Sequence, residues 1–240
     1  WLIFAISMIC RPQIPRPELF SKRNLYAKMI SGGRPVRKLE NAKLLVFVVT
    51  RLTVSIAGTV ALLEGNWTTL WMAVLTLAVL MLPSLVERRF HVDIPSEFEI
   101  IVILFIYAAL FLGELRQFYD RFWWWDNMLH GLSGLILGNL GFLLVSYLNA
   151  SSRVNLRLSP RFVSFFAFCF AVAMGAMWEI FEFFMDRVFG FHMQRNSLED
   201  TMTDLILDTL GAALIAFLGY FQQKGRINFI GRHFRQDEKK

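Results

Sequence analysis

Cysteine is nearly absent from these 240 residues: Cys10 and Cys169 are the whole supply, and both sit inside apolar stretches. That pair builds neither a disulfide framework nor a metal–thiolate centre, which leaves two small core or lipid-facing hydrophobes. Charge is scarce as well. Asp, Glu, Lys and Arg make up 18% of the chain against 55% hydrophobic residues, and the mean hydropathy is +0.47. An ordinary soluble domain carries more charge and less apolar content. There is no internal repeat, Walker-type phosphate loop, dinucleotide fingerprint or cysteine-based metal motif.

What remains is a set of apolar runs of about 20 residues, the length a helix needs to cross about 30 Å of hydrocarbon. Six candidate spans are expected at roughly 44–63, 68–86, 97–115, 126–148, 161–185 and 204–222, an all-α polytopic membrane bundle. Residues 1–43 precede it as an apolar start and a basic arm, the spans fill 44–222, and 223–240 form a basic tail. The run Trp1–Cys10 is too short to span, and no basic residues precede it as in a signal peptide. We expect it to be the end of an upstream helix or a truncated start. Pro12, Pro15, Pro17 and Pro35 argue against a long helix in the arm.

The formal charge of +6 does not point to nucleic acid, because the basic residues lie in the connections between apolar runs. The arm, the loop with Arg88 and Arg89, the loop with Arg153, Arg157 and Arg161, and the tail are every second connection. Positive residues collect on the cytoplasmic side, so both ends are expected inside a prokaryotic cell membrane. Trp123, Trp124 and Trp125 precede the fourth span, where an aromatic belt meets the water interface. The arm serves as a topology determinant with secondary contact to anionic lipid.

Against this background seven carboxylates and a histidine stand out: Asp126 and His130, then Glu179, Glu182 and Asp186, then Asp200, Asp204 and Asp208. A charged side chain at bilayer depth costs roughly 2.5–3.5 kcal/mol even on the lenient insertion scale. At 100° per residue Asp126 and His130 lie about 40° apart, and Glu179, Glu182 and Asp186 share a stripe of about 60°. Asp200, Asp204 and Asp208 step down one face over about 12 Å. Three polar stripes can avoid lipid only by facing one another. All eight residues fall in the outer halves of spans four to six, so the site should open extracytoplasmically, at headgroup level.

Carboxylates this close need a bound cation, shared protons or arginine partners. Arg121, Arg187 and Arg195 supply some pairing but are fewer than the acids, which leaves room for a divalent ion. Oxygen ligands with one imidazole suit Mg²⁺, Mn²⁺, Ca²⁺ or Zn²⁺. Asp126, His130, Asp200, Asp204 and Asp208 are the candidate ligands, Glu179 and Glu182 the candidate catalytic bases, with Asp186 and Gln194 completing the polar site. Taken singly, Asp126 and Asp200 also fit helix caps or solvated rim residues. A packing network between helices is the plainer reading of the whole group.

Other signals are weaker. His130-Gly131-Leu132-Ser133-Gly134 contains a GxSG pattern, but a serine nucleophile needs a histidine base on another helix, and His192 is in a loop. Ser133 therefore reads as a small packing residue. Gly134, Gly138 and Gly141 allow a neighbouring helix to approach closely. Arg51 is expected to snorkel to the inner interface, or to pair with an acid. His91 and His233 belong to the cytoplasmic side.

The segments Trp125-Asp126-Asn127-Met128-Leu129-His130, Trp178-Glu179-Ile180-Phe181-Glu182, Gln194 and Asp200 to Ala212 carry a resemblance. From about residue 95 to 220 the chain resembles YjdF-type uncharacterised membrane proteins and, more distantly, the VanZ-like family linked to glycopeptide resistance. It departs from the VanZ-like pattern at Asn127, where a Lys or Arg is usual, at Asp208, where Asn is usual, and in the longer spacing from Glu182 to Gln194. The resemblance implies the same site positions and no established reaction.

Three functions follow as alternatives. One is a metal-dependent enzyme acting on a phosphate-bearing lipid or envelope precursor. The others are a cation- or proton-coupled transporter, and an accessory subunit whose polar network locks the bundle. The apolar inner halves of spans four to six count against a through-going path.

Overall fold

The computed structural model describes residues 34–90, 94–150, 158–190, 193–194 and 197–224. The apolar start with Cys10, most of the basic arm, His91, Arg153, Arg157, His192, Arg195, and the tail from residue 225 with His233 lie outside the described residues. Within them the chain is all-helical: α1 (Arg34–Leu63), α2 (Trp67–Phe90), α3 (Ser96–Ile106) running on as a π-helix (Tyr107–Leu115), α4 (Phe118–Arg121), α5 (Trp125–Ala150), α6 (Pro160–Phe189) and α7 (Leu198–Gln223). Among the described residues six helices are long and apolar enough to cross a membrane, and they match the six expected spans. α1 begins earlier than the apolar pattern does. Pro35 falls in its first turn, where the missing N–H has no intrahelical partner to lose.

The helices form two compact units, Trp1–Gln117 and Phe118–Lys240. In the first, Val54, Ala73, Leu80, Ile103 and Phe111 make the buried core. Arg51 bonds to backbone carbonyls, with the Glu99 carboxylate near enough to act on its charge. Its guanidinium donates to the Leu80 carbonyl at 2.8 Å and to the Phe47 carbonyl at 3.3 Å, with Cζ over the Phe47 ring. Pro83 interrupts the α2 hydrogen-bond ladder in the next turn, and a carbonyl nearby takes the arginine. Glu99 is 1% exposed, forms an ion pair with Lys43 and accepts a hydrogen bond from Ser84 at 3.2 Å.

The second unit is α5, α6 and α7. Glycines let these backbones close up. A Cβ on Gly134 would strike the Asp208 carbonyl, one on Gly138 would strike Ile215, and one on Gly141 would stand 2.8 Å from the Ala167 Cα. Residue numbers rise together along α5 and α7 and oppose along α5 and α6, so the order is up, down, up. Local chemistry sets the helix ends. Ser159 caps α6 by accepting from the Phe162 N–H, and Gly190 ends it in the left-handed conformation at φ 69°. Ser197 caps α7 by accepting from the Asp200 N–H. Asp200 thus sits in the first turn and is not the cap. Cys169 is exposed on the flank of α6, as suits a lipid-facing position.

Candidate metal centre

The up, down, up arrangement brings the start of α5, the end of α6 and the start of α7 to one end of the unit. There His130, Glu179, Glu182, Asp204 and Asp208 are all buried, although each is polar or charged. Asp126 lies one turn before His130 and is half-buried. The deeper members of the three stripes inferred from helical periodicity do face one another.

His130 is the hub. Its Nδ1 is 3.2 Å from Asp208 Oδ2 and 3.9 Å from Glu179 Oε1. Its Nε2 looks the other way, 3.7 Å from Asp126 Oδ1 and 3.8 Å from Asp204 Oδ2. The last two separations exceed a hydrogen bond. They match two atoms that ligate a common ion, since bonds of about 2.0–2.2 Å place ligand atoms roughly 3–4 Å apart. One ligand atom from each of Asp126, His130 and Asp204 lies within 4.8 Å of the others.

Two further carboxylate oxygens bear on whether the cluster fits a cation. Asp204 Oδ1 and Glu179 Oε1 are buried without a hydrogen-bond partner, while their residues are 2% and 4% exposed. Such atoms cost free energy unless something satisfies them.

Around the hub, each remaining site residue has a distinct environment. The Ser133 hydroxyl meets both Asp208 Oδ1 and the His130 carbonyl, the latter at 2.9 Å, so Ser133, read from the sequence as packing, belongs to the polar network. Its spacing of three residues from His130 was the available signal. Glu182 accepts the Trp178 indole N–H at 2.8 Å. Gln194 donates its side-chain amide to the Glu179 carbonyl at 3.2 Å and to Glu179 Oε2 at 3.3 Å. Asp186 accepts the backbone N–H groups of Met193 and Gln194 at 2.8 and 3.0 Å, which fixes the turn that carries Gln194. Asp186 is thereby a loop anchor beside the cluster.

Asp200 stands at the edge of the cluster, one turn before Asp204 and near enough to act on it. It lines an open depression with Trp123, Asn127, Ser197, Glu199 and Thr203, at the ends of α5 and α7. Arg187, expected to offset the acids, has its guanidinium 5.3 Å over the Phe183 ring. Phe118, Phe122, Trp124 and Trp125 form an aromatic cluster at this end, with Phe118 and Trp125 centroids 4.9 Å apart. Trp123 projects from it, 78% exposed.

Fold and site together define a multi-span helical membrane protein with a buried carboxylate–histidine centre. The chain belongs to the family described as predicted membrane protein DUF2238, whose model matches residues 43–225. It is also 27% identical over 144 residues to an uncharacterised protein of Thermotoga maritima, a match that covers 60% of this chain and 72% of the relative. No solved structure matches.

Proposed function

We propose that the second unit is a divalent-metal centre of an enzyme that acts on a phosphate-bearing lipid or envelope precursor. The observation that carries this is the position of His130 Nε2, between two carboxylate oxygens at 3.7 and 3.8 Å, too far to bond either and suited to sharing an ion. Asp126, His130 and Asp204 supply two oxygens and one imidazole nitrogen, a donor set for Mn²⁺ or Zn²⁺ and, with added water, for Mg²⁺ or Ca²⁺. Glu179 is the better base of the two glutamates. Its Oε1 is buried without a hydrogen-bond partner, whereas Glu182 Oε1 is held by Trp178. A glutamate carboxylate with an oxygen free to accept is the general base that such a reaction needs.

The substrate class rests on place. Alternating basic connections support an extracytoplasmic opening of the site in a prokaryotic cell membrane, and the exposed Trp123 beside it suits headgroup level. Elemental analysis of protein purified without chelator tests the metal reading. About one equivalent of a divalent metal is expected, lost in His130→Ala and Asp204→Asn. Wild-type protein without bound or titratable metal would favour the accessory-subunit reading.

A cation- or proton-coupled transporter is the second reading. It draws on Asn139 Oδ1 and Ser164 Oγ, buried without hydrogen-bond partners farther along α5 and α6. Around them Phe142, Val145, Val163 and Ala167 form an apolar core with no charged member. Flux in liposomes that depends on Asp208 would establish this reading.

A further inference from the structure

At the end of the second unit opposite the His130 cluster, two cations meet on one neutral group. Lys224, the C-cap of α7, sets its Nζ 4.8 Å from the centroid of the Tyr220 ring. Arg161, in the first turn of α6, reaches the Tyr220 hydroxyl together with Lys224. Both cations are exposed. Like charges held this close repel, and the chain has little of its own to offset them. The sequence carries no acid between Asp126 and Glu179, and none between Asp208 and Asp237. Among the described residues, this end of α5, α6 and α7 therefore offers the pair no carboxylate.

The surface beneath the pair is apolar. Phe165 stands one turn beyond Arg161 on the same face of α6 and is 65% exposed, and Phe217 stands one turn before Tyr220 on α7 and is 61% exposed. Phe217 meets the Phe221 ring edge-on, with centroids 4.8 Å apart. Both helices are long and apolar enough to cross a membrane. Arg161 and Lys224, at helix ends, then fall at headgroup depth, and the two phenylalanines fall in hydrocarbon.

We propose that Arg161, Lys224 and the Tyr220 hydroxyl bind the phosphate of an anionic phospholipid whose acyl chains lie along Phe165 and Phe217. The site is independent of the metal centre. A guanidinium fork matches two phosphate oxygens, while the lysine adds a point charge. The phenol can turn its own hydrogen to a third oxygen. Basic pockets between membrane helices recognise lipid head groups by this chemistry. Free phosphate would satisfy the cations alone, whereas a phospholipid also covers the exposed phenylalanines.

Native mass spectrometry of the full-length protein in detergent tests this, with phosphatidylglycerol and phosphatidylcholine added in equal amounts. Wild type should retain phosphatidylglycerol over phosphatidylcholine by about tenfold. Arg161→Gln with Lys224→Gln should abolish the preference. Tyr220→Phe, which keeps the ring and both charges, should reduce it by about threefold, the loss of one hydrogen bond. Arg88→Gln with Arg89→Gln removes the same charge from the last turn of α2 and should leave the preference intact. Equal losses in the two double variants would show attraction by bulk charge and overturn the site. Equal retention of the two lipids by wild type would also overturn it. Displacement of phosphatidylglycerol by an equimolar amount of inorganic phosphate would assign the cations to free phosphate and overturn the lipid.

Discussion

Gly134 of α5 lies directly against the backbone carbonyl of Asp208 on α7, so closely that a Cβ at residue 134 would collide with that oxygen and stand 3.0 Å from the Ala212 nitrogen. The approach brings His130 and Ser133, one turn earlier and one residue earlier on α5, to the Asp208 carboxylate. Packing by small residues and the polar centre are thus one device.

Gly134→Ala is accordingly expected to destabilise the second unit by about 1–3 kcal/mol, the usual cost of overpacking a tight contact. Gly131→Ala is the control, because a Cβ there meets nothing within 4 Å. It should cause no loss. Thermal unfolding of the two variants in the same detergent compares them directly.

The Lys43–Glu99 ion pair should show strong coupling. Lys43→Met leaves the Glu99 carboxylate, 1% exposed, with the Ser84 hydroxyl and the more distant Arg51 charge, and a broken buried pair costs about 3–5 kcal/mol. Replacing both, as Lys43→Met with Glu99→Leu, should recover most of that loss, because no buried charge is left unpaired. A double-mutant cycle on detergent unfolding measures the coupling. Additive losses would contradict the pairing.

Asp186 is expected to act on the turn after α6. Asp186→Ala removes both acceptors of the Met193 and Gln194 N–H groups, each a charge-assisted bond worth about 1.5–3 kcal/mol. Hydrogen exchange at those two amides should rise, while exchange in α5 and α7 stays at wild-type rates. Unchanged exchange at Met193 and Gln194 would show that the turn holds without the carboxylate.

Sidedness is open to direct test. With both native cysteines replaced by alanine, Trp123→Cys should react with a membrane-impermeant maleimide on intact spheroplasts. Lys224→Cys, exposed beyond the end of α7, should react only after permeabilisation. The reverse pattern would put the site on the cytoplasmic face and remove the envelope-precursor substrate.

Much of the unit architecture was legible in the chain because lipid constrains it so strongly. A backbone in hydrocarbon must satisfy its own hydrogen bonds, so apolar length translates almost directly into helices. Helical spacing likewise put His130, Glu179, Glu182, Asp204 and Asp208 on facing stripes, since charged side chains on membrane helices must turn inward. Ser133, Trp178 and Arg51 were not legible in the same way. A serine or tryptophan tolerates both packing and hydrogen bonding, and Arg51 ends on a carbonyl of another helix that no residue type announces.

Sequence alone therefore determined the number of spans, the residues that must avoid lipid and the glycine face that allows close packing. These depend on length, hydropathy and an angle of 100° per residue, which are local properties. Tertiary structure decided which carboxylate meets which nitrogen of His130: Asp208 on Nδ1, Asp126 and Asp204 around Nε2, with Asp200 at the edge in the depression and Asp186 on the turn. That division depends on the vertical offset and rotation of α5 against α7, fixed by collisions that glycine avoids, and ångström-scale offsets between helices leave no trace in periodicity.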